Sequence, residues 1–566
     1  MKSLSTQHQR QVLNNLVWVV FWGVLSIALY NHKDSLHWIT YVYLFVGVLM
    51  LIKNLKSTWT AYEYGKYQAQ LRYQNETPSD IHGNTVYATF EQKKAANLYD
   101  PNNGIPIGID EHGPLFYTPT HALNVAPAGS GKSLVIGGIL AHGYRIPDGR
   151  GNSQAASMVV TDLKGEHGYM TSKLCAEKHG HKVVFLNPDN LYNLGNTRFN
   201  PLQGVIDDIS HKPLNKFAVA DATEVALLLV PEPSKGDDGN FYFRQGARDQ
   251  IITAMLFFAC SAPSSCIFPE LFRVIGNAEQ LKETLEEAKK LDVLCGELST
   301  RASDILAATD DHFASFRSGA LQALSPFSPS SPLADSVSAS DFTFESLKRE
   351  PTTVYIMARH DRKDVYAPWL GLVTKMAIKA LFKVDGNIPV FFCLDEATNM
   401  PLPGFAADMT ALRGNGFRTR SAFQAKSESR RVNGEEQTET IYSQCDLKQF
   451  NSITSYQEAK EISDSIGQTT VKSHSLGEDK TSPWSDLKNS TSESGRPLLM
   501  PEELLRLGED EQIILISKHG LPPIRCKRLP YHHVPEWHAI LDDNPLEGGK
   551  LPLNPKVSIS YREART

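Results

Sequence analysis

The residues best suited to chemistry lie in one short loop, Ala126-Pro-Ala-Gly-Ser-Gly-Lys-Ser133, which follows an apolar stretch and precedes a helical pattern. The spacing matches the phosphate-binding loop G-x-x-x-x-G-K-[ST], except that Ala126 replaces the first glycine. Glycine lets the backbone approach a phosphate closely, and N–H groups at a helix start bind anions. The alternative is a glycine-rich turn with an incidental lysine. The loop predicts a nucleotide site, and its predicted binding residues are Ala128, Gly129, Ser130, Gly131, Lys132 and Ser133.

A second apolar stretch ends in two carboxylates. The run 390–394 is continuously apolar, as in a central parallel strand, and Asp395 and Glu396 follow it directly. A nucleotide site needs carboxylates that hold Mg²⁺ and orient the attacking water. We therefore predict that Ser133 and Asp395 bind Mg²⁺, with Asp395 acting directly or through water. Lys132 is predicted to contact the β- and γ-phosphates, and Glu396 is the predicted general base. The alternative is a strand end capped by acidic residues.

Polar residues also flank two other predicted strands. Asp162 and Lys164 follow the strand in SMVVT, at the carboxyl end where ligands of parallel sheets bind. An alternative role for Asp162 is to cap the following helix. Gln424 follows the strand after the Asp-Glu strand and is a candidate for contact with the γ-phosphate. Arg413 precedes that strand and is a candidate arginine finger for a neighbouring subunit. For both, the alternative is a surface hydrogen bond or ion pair.

Composition narrows the class of protein. The 566 residues predict several domains, and 41% hydrophobic with 21% charged residues is ordinary for a globular chain. A net charge of −6 means that any polyanion contact must be local, and the densest basic stretch is 413–431. Seven cysteines without a C-x-x-C pair favour a reduced compartment and disfavour zinc and disulfide frameworks. One group of residues could in principle bind a metal ion, but adjacent histidines of this kind are more typical of a polar surface. The group consists of Cys526, His532, His533 and His538.

Two apolar stretches open the chain. The ranges 12–30 and 36–52 are each close to the minimum of about 20 residues for crossing a bilayer. The connector NHKDS is very short, so both segments must form one hairpin. Basic residues precede and follow the hairpin, which places both termini in the cytoplasm. The alternatives are a cleaved signal peptide and a buried helical hairpin of a soluble domain.

The remaining patterns predict an α/β fold. A hairpin over 104–119 precedes the loop strand, and strands follow in SMVVT, HKVVFL, TTVYIMA and the Asp-Glu segment. Helical spacing without convincing strands fills 203–345, which predicts an inserted all-α domain. Segment 469–495 is rich in serine and threonine and predicts a mobile loop. EQIILISKHG and LPPIRCKRLPY predict a closing β-hairpin.

These patterns divide the chain into five predicted parts. They are a transmembrane hairpin (1–57), a nucleotide-binding domain in two parts (58–202 and 346–530), the all-α insertion (203–345) and a C-terminal tail (531–566).

Six ordered blocks of this sequence resemble one known family, the type IV secretion coupling proteins, or TraG-like ATPases of bacterial conjugation. The blocks are APAGSGKS, VVTDLKGE, RFNPL, FFCLDEATNMPLPGF, LRGNGFRTRSAFQ and RPLLMPEELLRLGEDEQIIL. They extend from about residue 100 to 530 in the family's order. The hairpin and the helical insertion also match the family's layout.

The resemblance implies a RecA-like P-loop NTPase domain that uses ATP and Mg²⁺ and is hexameric when active. It implies a place on the cytoplasmic face of the bacterial inner membrane and contact with a type IV secretion channel. The implied cargo is a relaxase with attached single-stranded DNA, selected in part by the helical insertion. By position, Arg413 matches the family's trans-acting arginine and Gln424 the residue after the following strand. Ala126 and the very short external loop depart from the family pattern.

The predicted function is therefore a membrane-anchored ATPase that delivers relaxase-bound single-stranded DNA to a secretion channel. One alternative is a related ATPase that exports effector proteins and does not bind DNA. Another is a docking platform that binds nucleotide without motor activity, although an intact Glu396 disfavours it. A solute transporter of the ABC class is disfavoured because the sequence has no L-S-G-G-Q run.

Overall fold

The structure is a computed structural model that describes residues 6–31, 39–76, 81–147, 153–211, 217–233, 238–400, 402–477 and 488–559. It divides into two compact units. The first contains Met1–Thr85 and Gly467–Leu498, and the second contains Val86–Ile466 and Leu499–Thr566.

Helices and strands alternate through much of the described chain. The α-helices are α1 (Thr6–Asn31), α2 (Ile39–Glu76), α3 (Phe90–Ala95), α4 (Lys132–His142), α5 (Glu166–Glu177), α6 (Gln203–Ser210), α7 (Ala218–Leu229), α8 (Phe241–Ser261), α9 (Phe268–Gly276), α10 (Ala278–Lys290), α11 (Glu297–Leu306), α12 (Asp310–Leu324), α13 (Leu333–Ser336), α14 (Lys363–Lys383), α15 (Phe405–Ala411), α16 (Lys426–Asn433), α17 (Glu435–Gln444), α18 (Tyr456–Ile466), α19 (Pro501–Leu504) and α20 (Pro535–Ile540). The strands are β1 (Ile105–Asp110), β2 (Gly113–Tyr117), β3 (His121–Val125), β4 (Arg145–Pro147), β5 (Ser153–Ala155), β6 (Ser157–Asp162), β7 (Lys182–Leu186), β8 (Thr352–Met357), β9 (Val390–Leu394), β10 (Phe417–Phe423), β11 (Leu447–Phe450), β12 (Gln468–Gly477), β13 (Lys488–Pro497), β14 (Glu511–Ile516) and β15 (Ile524–Lys527).

The first unit contains the two predicted apolar stretches as helices α1 and α2. The Asn15 side-chain amide donates to the Ser57 hydroxyl at 3.1 Å, and apolar side chains such as Val20 and Phe45 are exposed. Most of the connector NHKDS lies outside the described residues. Among the described helices, only His360–Lys383 is long and apolar enough to cross a membrane, and it is mostly buried, while Leu13–Ala28 is a shorter apolar stretch. The transmembrane hairpin therefore stays a prediction.

The serine- and threonine-rich segment was expected to be a mobile loop, and this expectation is wrong for its described residues. Strands β12 and β13 pair in antiparallel register from Gln468 opposite Pro497 to Gly477 opposite Lys488. Antiparallel pairing satisfies the backbone groups of a polar segment without an apolar core. Residues 478–487 lie outside the described part of the chain.

One large mixed sheet organises the second unit. Within the described residues its order is β2-β1-β15-β14-β11-β3-β10-β9-β6-β8-β7. The strands from β11 to β7 are parallel, and the hairpins β1–β2 and β14–β15 extend the sheet with antiparallel pairs. Both predicted hairpins and the predicted parallel strands are confirmed. The α/β fold class is confirmed with them.

A helical segment separates β7 from β8. Helices α6 to α13 follow one another there, and the described residues of 203–336 contain no strand. Helix α8 is its centre, with Ile251 and Met255 fully buried, and it packs against α7, α10, α11 and α12. The predicted helical character is confirmed, while the boundaries of an inserted domain stay a prediction.

The C-terminal segment packs on α4, the helix that follows the glycine-rich loop. A Cβ atom on Gly137 would lie 3.2 Å from the Tyr531 ring, and one on Gly138 would lie 3.0 Å from the Trp537 ring. The Tyr531 and Trp537 side chains are almost completely buried in the core that includes Ile136. The predicted tail is thus part of the packed unit over its described residues.

Candidate nucleotide-binding site

The glycine-rich loop connects β3 to α4 at the carboxyl edge of the sheet. Strand β3 is fully buried between β10 and β11, so the loop begins from a rigid position. Gly129 and Gly131 have φ of 75° and 73°, a left-handed conformation that glycine adopts without steric cost. A Cβ on Gly129 would contact nothing within 4 Å, so backbone conformation rather than space requires glycine there.

Lys132 is the first residue of α4, and its ammonium turns back over the loop. Nζ donates to the carbonyl oxygens of Ala126 at 2.7 Å and Pro127 at 2.9 Å. Burial lowers the pKa of Lys132, and the negative charges of Asp395 and Glu396 oppose this effect. The structure therefore brings the predicted lysine and the predicted carboxylates together.

Strand β9 positions both carboxylates. It lies between β10 and β6, so Asp395 and Glu396 emerge at the same edge as the loop. The Thr161 hydroxyl donates to the Asp395 carbonyl oxygen at 3.2 Å, and the Asn399 amide donates to Oε2 of Glu396. Glu396 has φ of 50°, which is uncommon outside glycine and concentrates at functional sites.

His167 is a site residue that the sequence analysis missed. Its Nε2 lies 3.8 Å from Oδ2 of Asp395, and the side chain is buried. Burial disfavours the imidazolium, but Asp395, Asp162 and Glu166 outweigh burial and raise the pKa of His167 to about 9. Burial also raises the pKa of Asp395, yet the neighbouring His167 and the positive charges of Arg420 and Lys132 outweigh burial and leave it lowered. One sequence feature could have identified His167: it lies in the first turn of α5, the helix that follows the strand ending at Asp162.

Glu166 is a second missed residue. The Asn544 side-chain amide donates to Oε2 of Glu166 at 3.0 Å. Burial raises the pKa of Glu166, but the charge of His167 and hydrogen bonds from Ser133 and Asn544 outweigh burial and lower it. An ionised carboxylate therefore lies beside the hydroxyl predicted to bind Mg²⁺.

The structure favours the alternative role for Asp162. Its Oδ2 accepts the Gly168 N–H at 2.8 Å, so the carboxylate caps the start of α5. Burial raises its pKa. Lys164 lies two residues further at the same sheet edge and is exposed.

Gln424 and Arg413 lie at opposite ends of β10. Gln424 directly follows the strand, and the Ala126 N–H donates to the Phe423 carbonyl oxygen at 3.0 Å, which places Gln424 beside the loop. Arg413 precedes β10 and is exposed at the other edge. Seven residues at about 3.3 Å each separate the edges by roughly 20 Å. One subunit thus places Gln424, but not Arg413, near its own site.

Much of the basic stretch 413–431 does not form an open cationic surface within one subunit. Arg420 is 1% exposed in central strand β10, and burial lowers its pKa. Lys426 and Arg430 both form ion pairs with Glu461 at 3.1 Å. Arg413 and Arg431 remain exposed.

The residues present fit a nucleotide with Mg²⁺. The loop offers N–H groups at two left-handed glycines and an ammonium, and its edge offers the Ser133 hydroxyl and the Asp395 and Glu166 carboxylates. Mg²⁺ is commonly bound by one or two such oxygens together with phosphates and water. In the described part of the chain, no group of three or more His, Cys, Asp or Glu side chains is arranged to hold a metal ion, and Cys526 contacts Gln512 instead.

This loop, the Asp-Glu strand β9, which is separated from the loop strand β3 by β10, and the parallel sheet define the class of P-loop NTPases. The sequence pattern of the family Type IV secretory system Conjugative DNA transfer matches residues 81–554, so the chain belongs to that family. The resemblance carried by the six sequence blocks is confirmed.

Curated relatives from this family cover most of the chain. VirD4 of Agrobacterium fabrum is 25% identical over 475 residues, which are 80% of this chain and 66% of that protein. The conjugal transfer protein TraG of the same organism is 24% identical over 398 residues, or 68% of this chain and 58% of TraG. The chain thus spans less than two thirds of the length of each of these relatives, 66% of VirD4 and 58% of TraG.

Solved structures of the coupling protein TrwB share the fold. Its unbound form gives a TM-score of 0.58 at 16% identity, covering 79% of this chain and 92% of that one. The form solved with ADP and Mg²⁺ gives 0.57 at 16% identity, covering 79% and 94%. This likeness supports an α/β RecA-like fold for the second unit.

Proposed function

We propose that this protein is a membrane-anchored ATPase that couples relaxase-bound single-stranded DNA to a type IV secretion channel during conjugation. The observation that carries the proposal is the meeting of Lys132, Asp395 and Glu396 at one sheet edge in a chain of the conjugative transfer family. The relatives VirD4 and TraG and the ADP- and Mg²⁺-bound TrwB structure support it.

The residues of the site divide the work of ATP hydrolysis. The N–H groups of the loop and Lys132 bind the phosphates, and Ser133 and Asp395 bind Mg²⁺. Glu396 takes a proton from the attacking water, and Gln424 orients the γ-phosphate. Bound ATP supplies the phosphoanhydride whose cleavage drives transfer. Buried His167 holds Asp395 in place.

The remaining parts follow from the same proposal. Helices α1 and α2 contain the transmembrane hairpin that anchors the protein in the inner membrane, with both termini in the cytoplasm. Residues 203–345 form an all-α domain that takes part in cargo selection. Active rings are homo-hexamers, in which Arg413 of one subunit serves the site of the next. Basic groups of the ring bind the backbone phosphates of the DNA, so binding does not depend on the base sequence.

The test is ATP hydrolysis by the full chain in lipid nanodiscs, with and without single-stranded DNA, at increasing protein concentration. We expect turnover that rises with concentration, increases with DNA and is lost in Lys132→Ala. Absence of turnover in the wild type would refute the motor and favour a docking platform. Turnover that DNA leaves unchanged would favour a protein-exporting ATPase.

A further inference from the structure

Arg528 follows β15 and contacts the outer side of the glycine-rich loop. Its Nη1 donates to the Ser130 carbonyl oxygen, and its Nη2 donates to the Glu509 carbonyl oxygen at 2.7 Å. Its backbone N–H donates to the Asp510 carbonyl oxygen at 2.7 Å, which fixes the base of the side chain. The guanidinium therefore joins the loop to the segment that precedes β14.

The contact is close and largely shielded from water. Arg528 is 8% exposed, and a Cβ on Gly131 would lie 2.9 Å from its Nη1. Hydrogen bonds from a charged donor are about twice as strong as neutral ones, and solvent competes poorly with a buried one. Arginine presents its donors in a planar fork, so two carbonyl groups are fixed relative to each other.

Planarity of the peptide bond transmits this contact to the inside of the loop. The Ser130 carbonyl and the Gly131 N–H belong to one trans peptide group and point in opposite directions. A guanidinium that fixes the Ser130 oxygen on the outside therefore aims the Gly131 N–H away from Arg528. Gly131 directly precedes α4, where N–H groups bind anions.

The same chain segment continues along α4. Tyr531 and Trp537 pack against Gly137 and Gly138, and the Asn544 side-chain amide donates to Oε2 of Glu166 at 3.0 Å. The backbone that carries Arg528 therefore belongs to a packed, buried segment, which restricts where its guanidinium can lie.

We propose that Arg528 is a positioning residue that holds the glycine-rich loop in its anion-binding form. This role rests on the proposed nucleotide site. The guanidinium bonds to the loop and to the 509–510 segment rather than to the carboxylates Asp395 and Glu396. Its loss therefore weakens nucleotide binding and leaves the chemical step at saturating ATP nearly unchanged.

The test compares wild type, Arg528→Ala, Arg528→Lys and the control Arg525→Ala as full chains. Arg525 lies on β15, three residues before Arg528, and pairs with Glu511 at 2.9 Å. ADP affinity is measured by calorimetry, and kcat and KM are measured for ATP. We expect Arg528→Ala to weaken ADP binding and raise KM about tenfold or more, with kcat within about twofold. A lysine ammonium lacks the planar fork, so Arg528→Lys should be intermediate, and Arg525→Ala should match wild type.

Two results would overturn the role while leaving the nucleotide site intact. They are wild-type ADP affinity in both Arg528 variants, and a fall in kcat at unchanged KM, which would indicate contact with the reacting groups. If Arg528→Ala does not fold, Arg528→Lys decides by the same readouts. A wild-type protein that fails to bind ADP would refute the proposed function and this role together.

Discussion

The Asn399 side-chain amide donates a hydrogen bond to Oε2 of Glu396, three residues earlier in the same turn. Lys363 supports this contact from α14, because its Nζ donates to Oδ1 of Asn399 at 3.3 Å. The carboxylate that we propose as the general base is therefore oriented by its own turn. The left-handed backbone of Glu396 completes this local constraint.

Replacement of Glu396 by glutamine should separate nucleotide binding from hydrolysis. The amide preserves the size of the side chain but cannot accept a proton from water, so we expect turnover to fall about 10²- to 10⁴-fold. ATP affinity should stay near the wild-type value, since Lys132 and the loop are unchanged. Steady-state hydrolysis and calorimetric ATP binding measure the two quantities.

Lys132→Ala is the comparison for Glu396→Gln, because it should lose binding as well as turnover. Asn399→Ala should reduce turnover by a smaller factor, since it removes only the orienting contact. Turnover of Glu396→Gln within about threefold of wild type would show that another group acts as the base.

The Asp110 carboxylate should make the second unit sensitive to acid. It accepts hydrogen bonds from Lys93, from the Tyr99 hydroxyl at 2.9 Å and from the His112 N–H at 2.9 Å. Burial raises its pKa, but these hydrogen bonds outweigh burial and lower it. A lowered folded-state pKa stabilises the fold above the unfolded value of about 3.9, and this stability is lost as pH falls through the folded value.

We expect Asp110→Asn to lower the melting temperature at pH 7, because it leaves Lys93 buried without its charged partner. Breaking a buried pair typically costs about 3–5 kcal/mol. The difference from wild type should persist at pH 5 and shrink below about pH 4. Asp361→Asn is the control, because Asp361 pairs with Arg359 at the surface and should change little. Equal melting temperatures of Asp110→Asn and Asp361→Asn would contradict this account.

Gly138 should resist enlargement although alanine favours helices. Helix propensity alone predicts that Gly138→Ala raises the free energy of unfolding by about 1 kcal/mol, whereas overpacking typically lowers it by about 1–3 kcal/mol. The added Cβ would lie 3.0 Å from the Trp537 ring and 3.4 Å from the Leu529 carbonyl oxygen. Because the Trp537 ring is fully buried, it has little room to move, and we expect a lower melting temperature.

Gly276→Ala, at the last residue of α9, is the control for an uncrowded helical glycine, since its Cβ would meet the Leu321 side chain at an ordinary 3.6 Å. We expect its melting temperature to equal or exceed that of wild type. If the melting temperature of Gly138→Ala rose as much as that of Gly276→Ala, the C-terminal segment would be able to move away from the added methyl group at little cost.

The motifs could be predicted because their chemistry is local. The loop 126–133 and the pair Asp395-Glu396 each lie within a few residues and directly follow apolar strands, so spacing and pattern suffice. Their meeting at one edge followed from the rule that parallel strands place their carboxyl ends together.

The supporting contacts could not be predicted, because they join distant parts of the chain. Arg528 and Ser130 are 398 residues apart, and Asn544 and Glu166 are 378 apart. Trp537 lies in a helix too short to show hydrophobic periodicity, so the sequence gives no indication that this side chain is buried. The serine- and threonine-rich composition of 469–495 led to a wrong prediction, because the polar strands β12 and β13 pair with each other rather than forming an irregular loop.

The final prediction concerns the opposite placement of Arg413 and Lys132. Arg413 lies at the edge of the sheet where β10 begins, whereas Lys132 lies beside the edge where β10 ends. Within one subunit, Arg413 therefore cannot reach its own nucleotide, and a catalytic role requires a neighbour. Arg413→Ala should bind ADP normally but hydrolyse ATP about 10³-fold more slowly, which is the lower range for loss of an arginine finger.

Mixing two inactive variants tests the neighbour directly. Lys132→Ala retains Arg413 and Arg413→Ala retains the loop, so a ring of both contains some complete sites. Random assembly of an equimolar mixture should restore about one quarter of wild-type turnover, because head-to-tail interfaces pair each site with one neighbour. Arg431→Ala, an exposed arginine of the same basic stretch, is the control and should retain turnover alone. A mixture that stays inactive would contradict a trans role, and an active Arg413→Ala protein would reduce Arg413 to a surface cation.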